Sequence, residues 1–192
     1  GSVLCFPKKV ALIDIGHGYK KETYKELWLR TNRLANALSN LGVKKGDKVF
    51  YWTEDRLEPV EIWYASSKIG VVWGGVNVRY TGEEAQYVIN HSDAVVLIVS
   101  PSFVDQVKSI RGDLRNIKHY VVLGEEVEGM LSYEKLLAKA SDKDPQVEVK
   151  ATDWDSLTYT LGTTGRPSGS MRTHSSGLSW EWNLIQMTGL TH

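Results

Sequence analysis

The sequence predicts an α/β protein with a doubly wound, mostly parallel sheet and helices on both faces. Along the 192 residues, short apolar runs typical of strands alternate with segments of helical period. Two of the runs, Ala94 to Ser100 and Tyr120 to Leu123, are almost continuously apolar, as in strands covered on both faces. The 42% hydrophobic and 24% charged residues are the balance of a soluble globular domain with one core.

The first half of the chain predicts a hairpin followed by helix and strand in alternation. Val10 to Ile15 predicts a strand, with Tyr19 to Glu22 as its hairpin partner. Thr23 and Glu26 form a capping box for a helix that ends at Gly42. The elements predicted next are a strand at Lys48 to Thr53, a helix from about Pro59 to Ile69 and a strand at Val71 to Val78.

The second half repeats the same units. Thr81 and Glu84 form a second capping box, for a helix that reaches about Asn90. After the strand at Ala94 to Ser100 we expect a helix from Pro101 to about Leu114, the strand at Tyr120 to Leu123, and a short helix from Ser132 to about Ala140. Ser141 to Pro145 is predicted to be a linker, and Val147 to Val149 and Leu157 to Thr160 to be strands on either side of a turn at Asp153 to Asp155.

Composition excludes several classes of function. Lys plus Arg and Asp plus Glu both total 23, so no net positive charge indicates nucleic acid, and no polybasic run indicates an anionic membrane surface. The longest apolar runs are too short to span a membrane. Cys5 is the only cysteine, and the N-terminus lacks a secretory signal, so we expect a cytoplasmic protein. Gly1 and Ser2 are interpreted as a tag remnant, which leaves residues 3–192 as part of one domain.

The most informative stretch is TYTLGTTGRPSGSMRTH, from Thr158 to His174. Three glycines and five Ser or Thr residues occupy its first twelve positions. Glycines let backbone N–H groups approach an anion, and the hydroxyls add neutral donors. The stretch is neither a Walker A loop nor a GxGxxG fingerprint. From composition alone, a flexible surface turn is an equal alternative.

YTLGTTGRPSG resembles the YTSGTTGxPKG phosphate loop of the adenylate-forming (AMP-binding) superfamily. The Thr173-His174 pair that follows also matches that family, as do KKVALID, the long segment ETYKELWLRTNRLANALSNLGVKKGDKV, and KIGVVWGGVNVRYTGEEAQYVINHSDAVVLIV. FVDQVKSIRGDLRNIKHYVVL is similar to its medium- and long-chain acyl-CoA synthetase branch. The resemblance covers nearly the whole chain, and it implies the N-terminal subdomain of an acyl-CoA synthetase-like fold.

The resemblance implies a two-step ligase. A fatty acid and ATP, with Mg²⁺, give an acyl-adenylate and pyrophosphate, and the thiol of CoA then displaces AMP. The family's loop holds the β- and γ-phosphates. The residues that we expect to bind them are Thr160, Gly162, Thr163, Thr164, Gly165, Arg166, Ser168 and Gly169. The family's catalytic lysine, ribose aspartate and Mg²⁺ carboxylate lie further along its chain than this sequence reaches. We therefore expect an inactive fragment, with no catalytic or metal residues and no tightly bound cofactor.

Two departures from the family motif keep other hypotheses open. Leu161 stands where the family usually has Ser, and Ser168 where it has Lys, so the loop should bind phosphate more weakly. Arg166 could partly compensate. The alternatives are a non-catalytic nucleotide- or phosphate-binding module and a structural remnant of the same fold. We also expect self-association, through apolar residues of a predicted last helix: Leu178, Trp180, Trp182, Leu184, Ile185 and Met187.

Several other residues are interpreted as structural rather than functional. His174 is interpreted as a histidine satisfied by backbone rather than a catalytic group, and Asp153 and Asp155 as turn residues. The remaining histidines have no partner at metal-ligand spacing and are expected at the surface. They are His17, His91, His119 and His192. The tryptophans expected in the core are Trp28, Trp63 and Trp73.

Overall fold

A seven-stranded sheet with helices on both faces forms the centre of the structure, a computed structural model that describes residues 2–161 and 166–177. In chain order the strands are β1 (Val10–Asp14), β2 (Lys20–Thr23), β3 (Lys48–Trp52), β4 (Val72–Gly75), β5 (Ala94–Val99), β6 (His119–Val122), β7 (Leu131–Ser132), β8 (Trp154–Leu161) and β9 (Pro167–Thr173). The α-helices are α1 (Ser2–Cys5), α2 (Tyr24–Asn40), α3 (Glu58–Lys68), α4 (Gly82–Ser92), α5 (Val104–Ile110) and α6 (Tyr133–Lys139). Short 3₁₀ helices flank α5, at Pro101–Phe103 and Arg111–Asp113.

The strand order confirms the predicted doubly wound sheet. The order is β7-β6-β5-β3-β4-β8-β9, and all neighbours pair in parallel except β8 and β9, which are antiparallel. The chain leaves β3 for β4 on one side, and then crosses to β5 on the other side. The remaining strands, β1 and β2, form a separate antiparallel hairpin.

Two hydrophobic cores lie on opposite faces of the sheet. One packs α4 and α5 against the face that carries Phe50 and Trp52. The other packs α2, α3 and α6 against the face that carries Val49 and Ile98. Alternate residues of β3 point to opposite faces, so a single strand contributes to both cores. This explains why the central strands read as unbroken apolar runs.

Both predicted capping boxes are present. Thr23 Oγ1 accepts from the backbone N–H of Glu26, whose carboxylate accepts in return from the N–H of Thr23 at 2.7 Å. Thr81 and Glu84 repeat this arrangement at the start of α4. Each pair satisfies backbone donors that the first helical turn leaves free. The sequence signature therefore placed these two helix starts correctly.

Gly74 marks a close approach inside the sheet. A Cβ at this position would lie 2.4 Å from the ring of Phe50 and 2.7 Å from the backbone oxygen of Leu157. Only glycine lets β4 lie between these two neighbours, which belong to β3 and β8. Gly74 thus helps to position β8, which leads into the glycine- and hydroxyl-rich loop.

Two predictions about strands were wrong, and the sequence also missed a strand. Val147 to Val149 forms no strand, because this extended segment pairs with none of the described strands. β4 ends at Gly75 and not at Val78, because the side chain of Asn77 accepts the N–H of Arg79 and turns the chain. β9, by contrast, was not predicted, because its proline, glycine and serines have low strand propensity. Its pairing with β8 outweighs that propensity.

Candidate functional site

The β8–β9 hairpin carries the residues that the sequence singled out. β8 pairs in parallel with β4, Ser156 lying opposite Trp73, so its carboxyl end lies at the same sheet edge as those of the other parallel strands. Open α/β sheets bind their ligands at this edge. Residues 162–166 connect β8 to β9, which returns antiparallel along it. The described ends of the candidate loop, at Leu161 and Arg166, therefore lie at the edge where a ligand is expected.

The hairpin register places four hydroxyl side chains on one face. Thr160 lies directly opposite Ser168, and Thr158 directly opposite Ser170. Directly opposed residues of an antiparallel pair share a face, with Cβ atoms about 5 Å apart. All four are exposed. The sequence had indicated Thr160 and Ser168 as site residues; Thr158 was counted only among the hydroxyls of the stretch, and Ser170 was not singled out, because period-two alternation could reveal the shared face only once β9 was recognised.

Half of the predicted site residues are among those that the structure describes. Thr160, Arg166, Ser168 and Gly169 are all exposed, at or beside the end of the hairpin. Gly169 faces Tyr159 across the strand pair, and a Cβ there would approach the tyrosine ring to 3.2 Å. The other predicted residues lie outside the described residues. They are Gly162, Thr163, Thr164 and Gly165.

The charges around the hairpin suit an anion and not a bare metal ion. From Ser156 to Gly177 the sequence contains no Asp or Glu, while Arg166 and Arg172 are cationic. Hydroxyls and guanidinium groups donate to phosphate oxygens, whereas Mg²⁺ needs oxygen ligands such as carboxylates. Within residues 2–161 and 166–177, no group of three or more His, Cys, Asp or Glu side chains could hold a metal ion. The arrangement fits a phosphate group, and any Mg²⁺ here would have to arrive with it.

Helix α4 supports the hairpin on the face opposite the hydroxyls. The hydroxyl of Tyr159 lies 2.7 Å from Nδ1 of His91, and the guanidinium of Arg166 lies 5.8 Å from the ring centre of Tyr87. Burial raises the pKa of Tyr159 to about 12, and the nearby Tyr87 and Asp93 add to the effect. The phenol therefore stays protonated and can donate to His91. His91 is exposed, as expected, but it has a role in docking α4 that the sequence did not indicate.

A polar cluster around Asp155 connects the base of the β8–β9 hairpin to α3 and β4. Its carboxylate accepts from Ser67 Oγ of α3 at 2.6 Å and from Trp73 Nε1 of β4 at 3.3 Å. Nδ1 of His174, just after β9, lies 3.4 Å from the same carboxylate. Asp155 was interpreted as a turn residue, and that was wrong, because it lies in β8 and joins three elements. His174 was expected to be satisfied by backbone, but its ring pairs with the Asp155 carboxylate, and only its main-chain N–H bonds to a backbone oxygen, that of Asp153.

Of the remaining interpretations, the one for Asp153 is confirmed and the one for the three tryptophans is wrong. Asp153 does cap a turn, because its side chain accepts the N–H of Lys150 and pairs with Lys45 at 2.6 Å. The tryptophans expected in the core are only half-buried, and Trp63 stacks on the exposed Tyr64. Among the described residues, the fully buried tryptophan is instead Trp52, at the carboxyl end of β3.

There is open space beside the hydroxyl face. A cleft of about 390 Å³ is lined by residues of β3, β4 and β8 and of the segment that follows β4, among them Tyr51, Trp73 and Thr158. It borders the hairpin on the side of α3, where Trp63 packs against Trp73. A ligand at the hydroxyl face would therefore not have to displace a packed side chain from this cleft.

Comparison with known proteins gives one consistent family. The family model for AMP-binding enzymes matches residues 2–189. A long-chain-fatty-acid–CoA ligase of Thermus thermophilus is 34% identical over 155 residues, which are 80% of this chain and 28% of that protein. A 3-oxocholest-4-en-26-oate–CoA ligase of Rhodococcus rhodochrous is 36% identical over 174 residues, 88% of this chain and 31% of that protein.

Solved structures agree with this family. A long-chain-fatty-acid–CoA ligase from Archaeoglobus fulgidus superposes with a TM-score of 0.89 at 26% identity, over 100% of this chain and 39% of that one. An anthranilate CoA ligase in complex with anthranoyl-AMP gives a TM-score of 0.85 at 31% identity, over 90% of this chain and 33% of that one. The chain thus spans about a third of the length of the proteins that it matches.

Proposed function

Because this chain belongs to the family of AMP-binding enzymes, we propose that it is the phosphate-binding N-terminal part of an ATP-dependent, AMP-forming acyl-CoA synthetase. The observation that carries the proposal is the β8–β9 hairpin. It presents Thr160 and Ser168 directly opposite each other at the carboxyl edge of the sheet, with Arg166 just before β9, and residues 156–177 contain no Asp or Glu. A site that binds the β- and γ-phosphates of ATP needs this combination of donors.

In the whole enzyme, the hairpin would hold ATP while a carboxylate attacks its α-phosphate and pyrophosphate leaves. Thr160 and Ser168 would donate hydrogen bonds to phosphate oxygens, and Arg166 would supply a positive charge. A medium- or long-chain fatty acid is the substrate class that the sequence resemblance supports. CoA and Mg²⁺ would complete the reaction, and the cytoplasm is the compartment that we propose.

A second candidate is a nucleotide- or phosphate-binding module without catalysis. Ser168 favours it, because a hydroxyl replaces the cation that the family loop usually carries. Both candidates require phosphate binding by the same hairpin. They differ in whether a longer chain supplies the remaining groups.

Hydrogen exchange with and without pyrophosphate tests the site that both candidates share. We expect slower amide exchange in peptides that cover residues 158–172, because bound phosphate would order their N–H groups. Exchange in α2 should not change. Identical exchange in the hairpin at saturating pyrophosphate would contradict phosphate binding.

ATP–pyrophosphate exchange tests whether the isolated chain is catalytically active. We expect no fatty-acid-dependent ATP–pyrophosphate exchange, because the family's lysine, ribose aspartate and Mg²⁺ carboxylate match nothing in this sequence. Exchange clearly above that of heat-denatured protein would show that the chain needs none of them.

We also propose that the chain associates with itself. The predicted residues of the last helix lie outside the described residues, but β9 supports the proposal, because it is the last strand of the described sheet and its outer edge is open there. Light scattering at high micromolar concentration should give a mass above that of the monomer. A monomeric mass would contradict this.

A further inference from the structure

Exposed apolar side chains concentrate at the N-terminal end of the molecule. Among the described residues, twelve large hydrophobic side chains are exposed, and half of them fall between residues 4 and 19. The other six are scattered over the rest of the described chain. The N-terminal six are Leu4, Phe6, Val10, Ile13, Ile15 and Tyr19. A contiguous segment that exposes so much apolar surface indicates a contact with something outside the described structure.

The same segment is strongly basic. The first 25 residues contain five lysines and only two carboxylates, which leaves 18 of the 23 basic and 21 of the 23 acidic residues for the rest of the chain. Both carboxylates, Asp14 and Glu22, are buried, whereas the lysines are exposed. They are Lys8, Lys9, Lys20, Lys21 and Lys25. Lys8 and Lys9 lie before the start of β1, and Lys20 and Lys21 lie at the start of β2, near the turn of the hairpin.

The register of β1 and β2 separates an inner from an outer face. Asp14 and Glu22 point inward and are buried. Ile13 lies directly opposite Lys21, and both are exposed, so an aliphatic and a cationic side chain share the outer face. At the turn, Ile15 is 71% exposed and Tyr19 66% exposed. The hairpin therefore presents apolar groups at its tip and outer face with Lys21 beside them, whereas Lys20 lies opposite Asp14 and pairs with Glu22 at 3.4 Å.

Tyr19 is held in a strained backbone conformation. Its φ is +54°, directly after Gly18 at +84°. A bulky side chain in the left-handed region is unfavourable, and glycine would be the ordinary residue here. An exposed tyrosine that costs folding stability is best explained by a contact that it makes with a partner.

We propose that the outer face of the β1–β2 hairpin docks on an anionic lipid surface. The lysines would lie at the headgroups, and Ile13, Ile15 and Tyr19 would enter the interface between headgroups and acyl chains. A second copy of this face does not fit, because two lysine-rich surfaces repel each other. An acidic polypeptide would satisfy the lysines, but it would leave the exposed aliphatic tip without an apolar environment.

Sedimentation with vesicles tests the proposal on the whole chain. We expect binding to phosphatidylcholine vesicles that contain about 30% phosphatidylglycerol, and little binding to phosphatidylcholine alone. Raising the salt concentration from about 0.1 M to about 0.5 M should weaken the binding, because salt screens the lysines. Equal binding to both kinds of vesicle, or to neither, would overturn the proposal.

Two charge variants distinguish a specific contact of the hairpin with the vesicle from nonspecific electrostatic attraction. Lys21→Glu should weaken binding to the anionic vesicles roughly fivefold or more. The matched control is Lys108→Glu, the same change at an exposed lysine of α5, which should leave binding nearly unchanged. Equal weakening by the two variants would contradict a specific hairpin contact.

Tyr19→Gly separates binding from folding. Because glycine relieves the strain, this variant should melt at a higher temperature and yet bind the anionic vesicles more weakly. Ile13→Ser should also weaken vesicle binding, whereas Val147→Ser, at an exposed valine elsewhere, should not. If polyglutamate binds the chain and Ile13→Ser leaves vesicle binding unchanged, the surface recognises acidic polypeptides and the lipid proposal is wrong.

Discussion

Glu22 is the residue whose environment most clearly predicts a pH effect. It is 2% exposed, and neither of its carboxylate oxygens accepts a hydrogen bond from the described residues. Burial and the like charge of Glu61 raise its pKa to about 7. Lys20 and Arg30, whose nitrogens lie 3.4 and 3.5 Å from the Glu22 carboxylate, lower its pKa by less than this, and the Arg30 guanidinium is also hydrogen-bonded to Glu61 and Glu134. A carboxyl group with a pKa near neutral pH therefore lies beneath the β1–β2 hairpin.

The raised pKa sets the direction of the pH dependence. In the unfolded chain the carboxyl ionises near its ordinary pKa of 4.5, and in the folded chain only near 7. Its contribution to stability is therefore fully present below about pH 4.5 and is lost as the pH rises through 7. We expect Glu22→Gln to raise the free energy of unfolding at pH 8 by on the order of 2 kcal/mol, relative to its effect at pH 4.5. Urea titrations at the two pH values measure this, and a difference of the opposite sign would contradict the assignment.

Gly74 gives a second prediction at the level of one residue. Gly74→Ala would place a methyl group against the ring of Phe50 and the backbone of Leu157, neither of which has room to move. We expect a loss of about 1–3 kcal/mol in the free energy of unfolding. Gly112→Ala is the control, because nothing lies within 4 Å of its Cβ position. Equal stability of the two variants in denaturant titrations would show that β4 and β8 can move apart.

For single residues, the sequence indicated the chemical type of the side chain better than its role in the structure. Asp155 was recognised as a carboxylate before a strand, yet its partners Ser67 and Trp73 are more than 80 residues away in the chain. No local pattern reports such contacts. Thr160 and Ser168 were proposed as site residues because they fall within a known motif, whereas His91 lies far from that motif.

At the scale of elements, helix α4 connects the core to the candidate site. Its inner face packs in the core, and its Tyr87 and His91 contact Arg166 and Tyr159 of the hairpin. α4 begins at the capping box of Thr81 and Glu84. Its stability should therefore affect the order of the hairpin.

Loss of this cap provides the third prediction. Thr81→Ala removes the hydroxyl that accepts the N–H of Glu84, and we expect a loss of about 1 kcal/mol in stability. Amide exchange near the start of α4 should accelerate. Thr152→Ala, at an exposed threonine in a turn, should change neither measurement. Unchanged exchange in α4 would mean that tertiary packing alone holds its first turn.

The helices and central strands could be predicted from local patterns, but the edge of the sheet could not. β5 and β6 are nearly continuous apolar runs, and both capping boxes are explicit in the sequence. β9 consists of PSGSMRT, which has neither apolar alternation nor strand propensity. Its structure depends on its pairing with β8, and the sequence of β9 does not show this.

At the scale of the whole molecule, the candidate site lies at the carboxyl edge of the sheet. The parallel strands end where the β8–β9 hairpin projects, and the two cores on either side hold the sheet rigid beneath it. Strands with a loop at their carboxyl ends suit a phosphate site, because the strand pairing holds Thr160 and Ser168 on one face of the hairpin. None of the described helices is both long and apolar enough to cross a membrane.

Calorimetric titration with pyrophosphate tests the central claim, that this hairpin is a phosphate site weakened by its serine at position 168. Ser168→Lys returns a cation opposite Thr160, and we expect at least tenfold tighter binding than in the unchanged chain. Ser109→Lys adds the same charge on α5, remote from the hairpin, and should bind no tighter than the unchanged chain. Binding that is absent from both the unchanged chain and Ser168→Lys, or equally strengthened by Ser109→Lys, would contradict the account.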